Sequence, residues 1–234
     1  MRDSIYTIPV NEVFEPRCGC PICTMRDILE ERSVEYIMGA AMMEPDVRVE
    51  TNRQGFCRFH YGMMLKQKNR LSLALMLESH LMEIQEKGMK PGEAQKGGLF
   101  SKKAVQAQGE SCFICAKIDW AQQTMFDTIM RQYVAKEEFR TLYGEQQMLC
   151  FPHFKQLTAY AQEHMDKKWR NTFLKESTRL CRQALDALKE DVSHYCKMFD
   201  YRNAGENADW GNSKDSIERT VYFLTSRETG EKKK

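Results

Sequence analysis

The strongest constraint on this chain is one cysteine and histidine pattern written twice. Cys20-Pro21-Ile22-Cys23 is answered by Cys57-Arg58-Phe59-His60, and Cys112-Phe113-Ile114-Cys115 by Cys150-Phe151-Pro152-His153. Each copy reads Cys-x-x-Cys, a long gap, then Cys-x-x-His, and the two gaps differ in length by one residue. Three thiols and one imidazole form the ligand set of a closed, four-coordinate zinc site. Two ligands three residues apart share one face of a turn or helix, so each half-motif is a two-pronged clamp. Taken in chain order, the copies predict one site of Cys20, Cys23, Cys57 and His60, and a second of Cys112, Cys115, Cys150 and His153.

Rival chemistries need residues that are missing. A c-type haem site requires histidine directly after the second cysteine, where Thr24 and Ala116 stand. A thioredoxin-like pair requires a βαβ context, and no such rhythm appears. An iron–sulfur cluster on three cysteines and one histidine stays open, behind two Zn2+ ions as the expected cofactor. Catalytic zinc keeps an open position beside three protein ligands, whereas four candidates fill each shell here. Together the motifs use six of the nine cysteines and two of the five histidines. Every clamp also precedes a helical pattern, which puts its thiols where the helix dipole favours thiolate.

The rest of the chain reads as all-α, a pair of duplicated helical units with long packed helices. The pattern is helical after Cys20, Pro45 and Asp46 close that region, and a single long helix is expected from Cys57 to about Lys87. Its apolar seam would be Met64, Leu71, Leu75 and Met82. Residues 89–110 carry Pro91, Gly92 and Gly97-Gly98 and read as a linker. This divides the chain into a first zinc-stapled unit (1–88), the linker (89–110) and a second unit (111–234). In the second, Ile114, Ile118, Ala121, Met125, Ile129 and Tyr133 share one face; in the first, Arg26 and Ser33 interrupt the equivalent face. The longest helix runs to about Tyr201 with a seam of Leu174, Cys181, Leu185, Leu188, Val192, Tyr195 and Phe199. Asp215 and Glu218 form a capping pair for a last helix bearing Ile217, Val221 and Leu224 on one face.

Composition narrows the function classes. A net charge of +2 is too small for an overall field that draws nucleic acid; a basic stripe of Lys168, Lys175, Arg179 and Arg182 is the only local candidate. No stretch approaches the roughly 18 apolar residues of a membrane span. The N-terminus lacks a signal-peptide pattern, so a cytoplasmic location is expected, where cysteines serve as ligands and core residues rather than disulfides. Cys181 reads as core, Cys18 as an exposed thiol, and His80, His164 and His194 as histidines without ligand partners.

Ile8-Pro9-Val10, Cys20-Pro21-Ile22-Cys23, Gly55-Phe56-Cys57-Arg58-Phe59-His60 and Asn207 to Asp215 together resemble an uncharacterised bacterial family, a domain of unknown function. The likeness spans nearly the whole chain. The second copy departs from the pattern, with Phe113 in place of proline and Met148-Leu149 in place of Gly-Phe. The resemblance implies a cytoplasmic bacterial protein and lends no activity. With no nucleophile, acid/base pair or cofactor motif in view, the residues lean away from an enzyme and toward a binding or adaptor protein with a protein partner. A redox- or metal-responsive protein and a nucleic-acid binder are the alternatives.

Overall fold

A computed structural model describes residues 6–88, 112–200 and 209–227, with nothing said of the side chains of 87 and 88. The expected linker at 89–110 lies outside the described residues. Ten α-helices occupy them: α1 (Thr7–Phe14), α2 (Pro21–Met38), α3 (Pro45–Gln54), α4 (Arg58–Lys66), α5 (Arg70–Glu83), α6 (Phe113–Ala135), α7 (Glu137–Gly144), α8 (Phe151–His164), α9 (Lys167–Met198) and α10 (Ser216–Thr225). A 3₁₀ turn (Ala40–Met43) precedes α3 and a π turn (Ile84–Gly88) follows α5. No strand is present among the described residues. The fold is all-α.

Two compact units emerge. One comprises residues 1–25 and 123–234, the other 26–122. These bounds run through α2 and α6, each of which belongs partly to both units.

In the unit of 26–122, α3 packs on α5. The seam between them is polar: Arg48 donates to the Leu75 carbonyl at 2.9 Å and to Ser79 Oγ at 2.8 Å, and Ser79 donates to Asn52 Oδ1 at 2.8 Å. The core gathers Val34, Ile37, Met38, Met42, Met64, Leu73, Met76, Phe113, Ile114 and Ile118. Thioethers fill irregular gaps between helices of unlike length.

The single helix expected from Cys57 is two helices. Asn69 ends the continuity: its side chain accepts from the Ser72 N–H at 3.2 Å and donates to the Met38 carbonyl at 3.2 Å, capping α5. The break resets the helical phase. Leu71 and Met82 from the expected seam face solvent, while Leu73 and Met76 are buried. Pro45 likewise opens a helix rather than closing one, sitting at its first position where the missing N–H has no intrahelical partner.

In the unit of 1–25 and 123–234, α8, α9 and α10 pack pairwise on one another. Beside them an aromatic cluster joins Phe14, Phe139, Tyr143, Phe173 and Tyr133, with ring centroids 4.9 to 5.8 Å apart along the chain of contacts. Its hydroxyls are satisfied, Tyr143 against Ser177 Oγ at 2.7 Å and Tyr133 on Glu176 Oε2 at 3.0 Å. On α9 the buried line is Phe173, Ser177, Leu180, Cys181 and Leu188, so Leu185 and Phe199 of the expected seam are exposed. On α10 the buried residues are Ser216 and Phe223, whereas Ile217 and Leu224 face outward. Asp215 makes no side-chain cap; it pairs with Arg219 at 2.9 Å.

Candidate metal centres

All four clamps sit at helix N-termini, as their sequence context predicts. Cys57 and Cys150 occupy the N-cap positions of α4 and α8 in extended conformation, with His60 and His153 in the first turns. Cys20 and Cys112 directly precede α2 and α6, with Cys23 and Cys115 one turn in.

The clamps pair across the copies rather than within them. Cys20, Cys23, Cys150 and His153 form one group, and Cys57, His60, Cys112 and Cys115 the other; in each group the candidate ligand atoms all lie within 4.8 Å of one another. The eight residues are those the sequence singles out, but the expected sequential pairing is overturned. A backbone–backbone bond beside one group and a backbone–side-chain bond beside the other accompany this pairing. Phe113 N–H donates to the Gly55 carbonyl at 3.0 Å, which ties the start of α6 to the turn before Cys57. Gly19 N–H donates to Gln147 Oε1 at 2.7 Å, which ties the turn before Cys20 to the loop before Cys150.

Gly55 has to be glycine for two reasons. Its φ of +63° is a left-handed value that a side chain resists, and a Cβ there would lie 2.8 Å from His80 Nε2. The His80 ring cannot swing away freely, because its Nδ1 is held on the Asn52 carbonyl at 2.6 Å. His80 thus serves the turn that aims Cys57. Of the other spare histidines, His164 stacks on Tyr160 at 4.0 Å and His194 bonds the Asp209 carbonyl at 2.8 Å.

The first group, which we call the closed centre, is wholly buried: Cys20, Cys23, Cys150 and His153 are each at most 2% exposed. His153 Nδ1 points at the sulfurs, 3.2 Å from Cys23 and Cys150 and 3.8 Å from Cys20. The Tyr222 side chain of α10 adds a hydrogen bond to Cys23. In the second, the open centre, His60 and Cys112 are buried but Cys57 and Cys115 are only half-buried. His60 Nδ1 lies 3.2, 3.3 and 3.5 Å from Cys57, Cys112 and Cys115.

The thiols within each group ionise unequally. Burial opposes ionisation of Cys20, yet hydrogen bonds from Cys150, Cys23 and His153 hold its pKa well below the ordinary value. Cys112 is brought down to about 3, chiefly by its hydrogen bond from Cys115, against the effect of burial. The neighbours move the other way: Cys150 is pushed up by its hydrogen bonds to Cys20 and Cys23, then by burial, and Cys115 by its hydrogen bond to Cys112, then by burial. One thiolate per group is favoured, and a second beside it meets like-charge repulsion in a desolvated place. A divalent cation removes that penalty. The donor set, its crowding and the helix dipoles therefore fit a metal ion, and both groups could hold one.

Sequence reasoning missed one residue of the open centre. Glu30, on α2 and 3% exposed, places Oε1 3.7 Å from His60 Nε2, the ring atom turned away from the sulfurs. Arg26 Nε lies 3.9 Å from the same oxygen. At 3.7 Å the approach of Glu30 to His60 is a charge contact longer than a hydrogen bond, but it puts a carboxylate behind the candidate ligand ring, where such a group orients the ring and strengthens it as a donor. The signal was in the sequence as Arg26 and Glu30, an i,i+4 ion pair set into an otherwise apolar helix face. Glu30→Gln is expected to weaken metal binding at the open centre by about 10- to 100-fold, the range for such partners. Chelator competition on the two centres checks this, with the closed centre unchanged.

The sequence model of one protein family matches residues 1–231. The chain belongs to DUF6062, a family of unknown function. No curated protein and no solved structure matches it. For this DUF6062 chain, function therefore rests on the two centres themselves. No helix among the described residues is long and apolar enough to cross a membrane.

Proposed function

We propose that this DUF6062 protein binds two zinc ions and acts as a non-enzymatic binding or adaptor protein. The observation that carries the zinc reading is the pair of complete Cys₃His groups, each assembled from two helix N-termini inside one compact unit. Four protein donors close a tetrahedral shell, which suits a structural ion. Three thiolates and a neutral imidazole around Zn2+ leave a charge of minus one, which four helix N-termini across the two sites help to balance. Such chemistry belongs in a reducing compartment, in keeping with a cytoplasmic location.

The adaptor role is supported by apolar side chains left on the outer faces of α9 and α10, among them Leu185, Ile217 and Leu224. These suit a protein partner. The basic stripe favours nucleic acid less, since Arg179 pairs with Glu176 at 3.3 Å and Arg182 with Asp186 at 4.0 Å. A second reading, a redox- or metal-responsive protein, draws on the half-buried thiols of the open centre.

Elemental analysis and an absorption spectrum of anaerobically purified protein test the metal. Two zinc ions per chain and no visible bands are expected. Visible iron–sulfur absorption, or fewer than two metal ions after purification without chelator, would overturn the reading.

A further inference from the structure

The two centres share a ligand set but not a surrounding, and the difference falls on their thiols. In the closed centre every sulfur is shielded; Cys23 and Cys150 lie 3.5 Å apart, yet both are 0% exposed. In the open centre the two half-buried cysteines, Cys57 and Cys115, are also neighbours, with Sγ atoms 3.9 Å apart. Proximity alone would favour the closed centre for oxidation. Access decides otherwise, because a peroxide must touch the thiolate it oxidises.

We infer that Cys57 and Cys115 are an oxidant-sensitive pair through which the open centre releases its zinc while the closed centre keeps its own. The inference rests on the zinc reading above and extends the metal-responsive alternative. Hydrogen peroxide, or another two-electron peroxide, is the oxidant. One thiolate attacks a peroxide oxygen: an S–O bond forms, the O–O bond breaks and the departing hydroxide takes a proton to become water. The second thiolate then attacks the sulfenic sulfur, forming the S–S bond, and the hydroxide displaced from the S–O bond is protonated to a second water. The two sulfurs together lose two electrons, and the peroxide gains them. The disulfide leaves Cys112 and His60 as the remaining donors of the centre, half of a four-coordinate shell, which would be too few to keep a zinc ion. Thiol reductant with added Zn2+ reverses the sequence.

The test uses the full zinc-loaded chain, so no variant has to fold. Limited hydrogen peroxide is added, released zinc is followed with a chromophoric chelator, and disulfides are mapped by peptide mass spectrometry. The expected result is release of one of two zinc ions, a Cys57–Cys115 disulfide, and recovery of the second equivalent after reduction with added Zn2+. Release of both ions at equal rates, or a first disulfide among Cys20, Cys23 and Cys150, would overturn the inference while leaving two bound zinc ions intact as a reading. A starting preparation with fewer than two zinc ions would overturn the zinc reading itself, and the inference with it.

Discussion

Cys23→Ser is expected to strip one zinc ion from the chain and to lower its melting temperature by roughly 10 °C. Cys23 sits fully buried between Cys150 and His153, so loss of the metal leaves crowded, desolvated polar groups with no cation to compensate them. Structural zinc contributes on the order of 10–16 kcal/mol in small peptides, against a domain stability of about 5–15 kcal/mol. If only a third of that is realised, about 4 kcal/mol is lost; at roughly 2–4 °C per kcal/mol for a chain of this size, the shift is readily measured. Cys115→Ser should also remove one zinc, but with a smaller shift, because water reaches the half-buried open centre and can solvate what the ion leaves behind. Calorimetry paired with metal analysis reads both effects.

The order of these two shifts follows from packing. The closed centre is joined to α10 through Tyr222 and lies in the unit where α8, α9 and α10 pack on one another. A metal ion held by Cys20, Cys23, Cys150 and His153 would join the N-terminus of α8 to the start of α2. Nearby Cys181, buried on α9, has its thiol pushed up to about 11, chiefly by burial, and behaves as core.

Much of this was legible in the residues. Cys-x-x-Cys and Cys-x-x-His at helix starts identified the donors because spacing and dipole act locally, within one turn. The all-α class followed from apolar periodicity, which is local too. Pairing is not local. Near-equal gaps permit either assignment of clamps to sites, and the choice is made by contacts distant in sequence, Phe113 to Gly55 and Gly19 to Gln147. The seam expected on α5 was misplaced for a related reason. A capping residue such as Asn69 shifts the phase of everything after it, and a seam read across the break points half its residues outward. The sequence shows Glu30 only as the i,i+4 partner of Arg26, and its place behind His60 depends on a contact distant in sequence.

The crossed pairing is the central claim, and zinc counts on two double variants test it most directly. After equilibration with a mild chelator, Cys23→Ser with Cys150→Ser should retain one zinc ion, because both changes fall in the closed centre. Cys23→Ser with Cys57→Ser should retain none, because one change falls in each centre. The opposite pattern, none in the first variant and one in the second, would show that each copy of the motif closes on itself and would contradict the account.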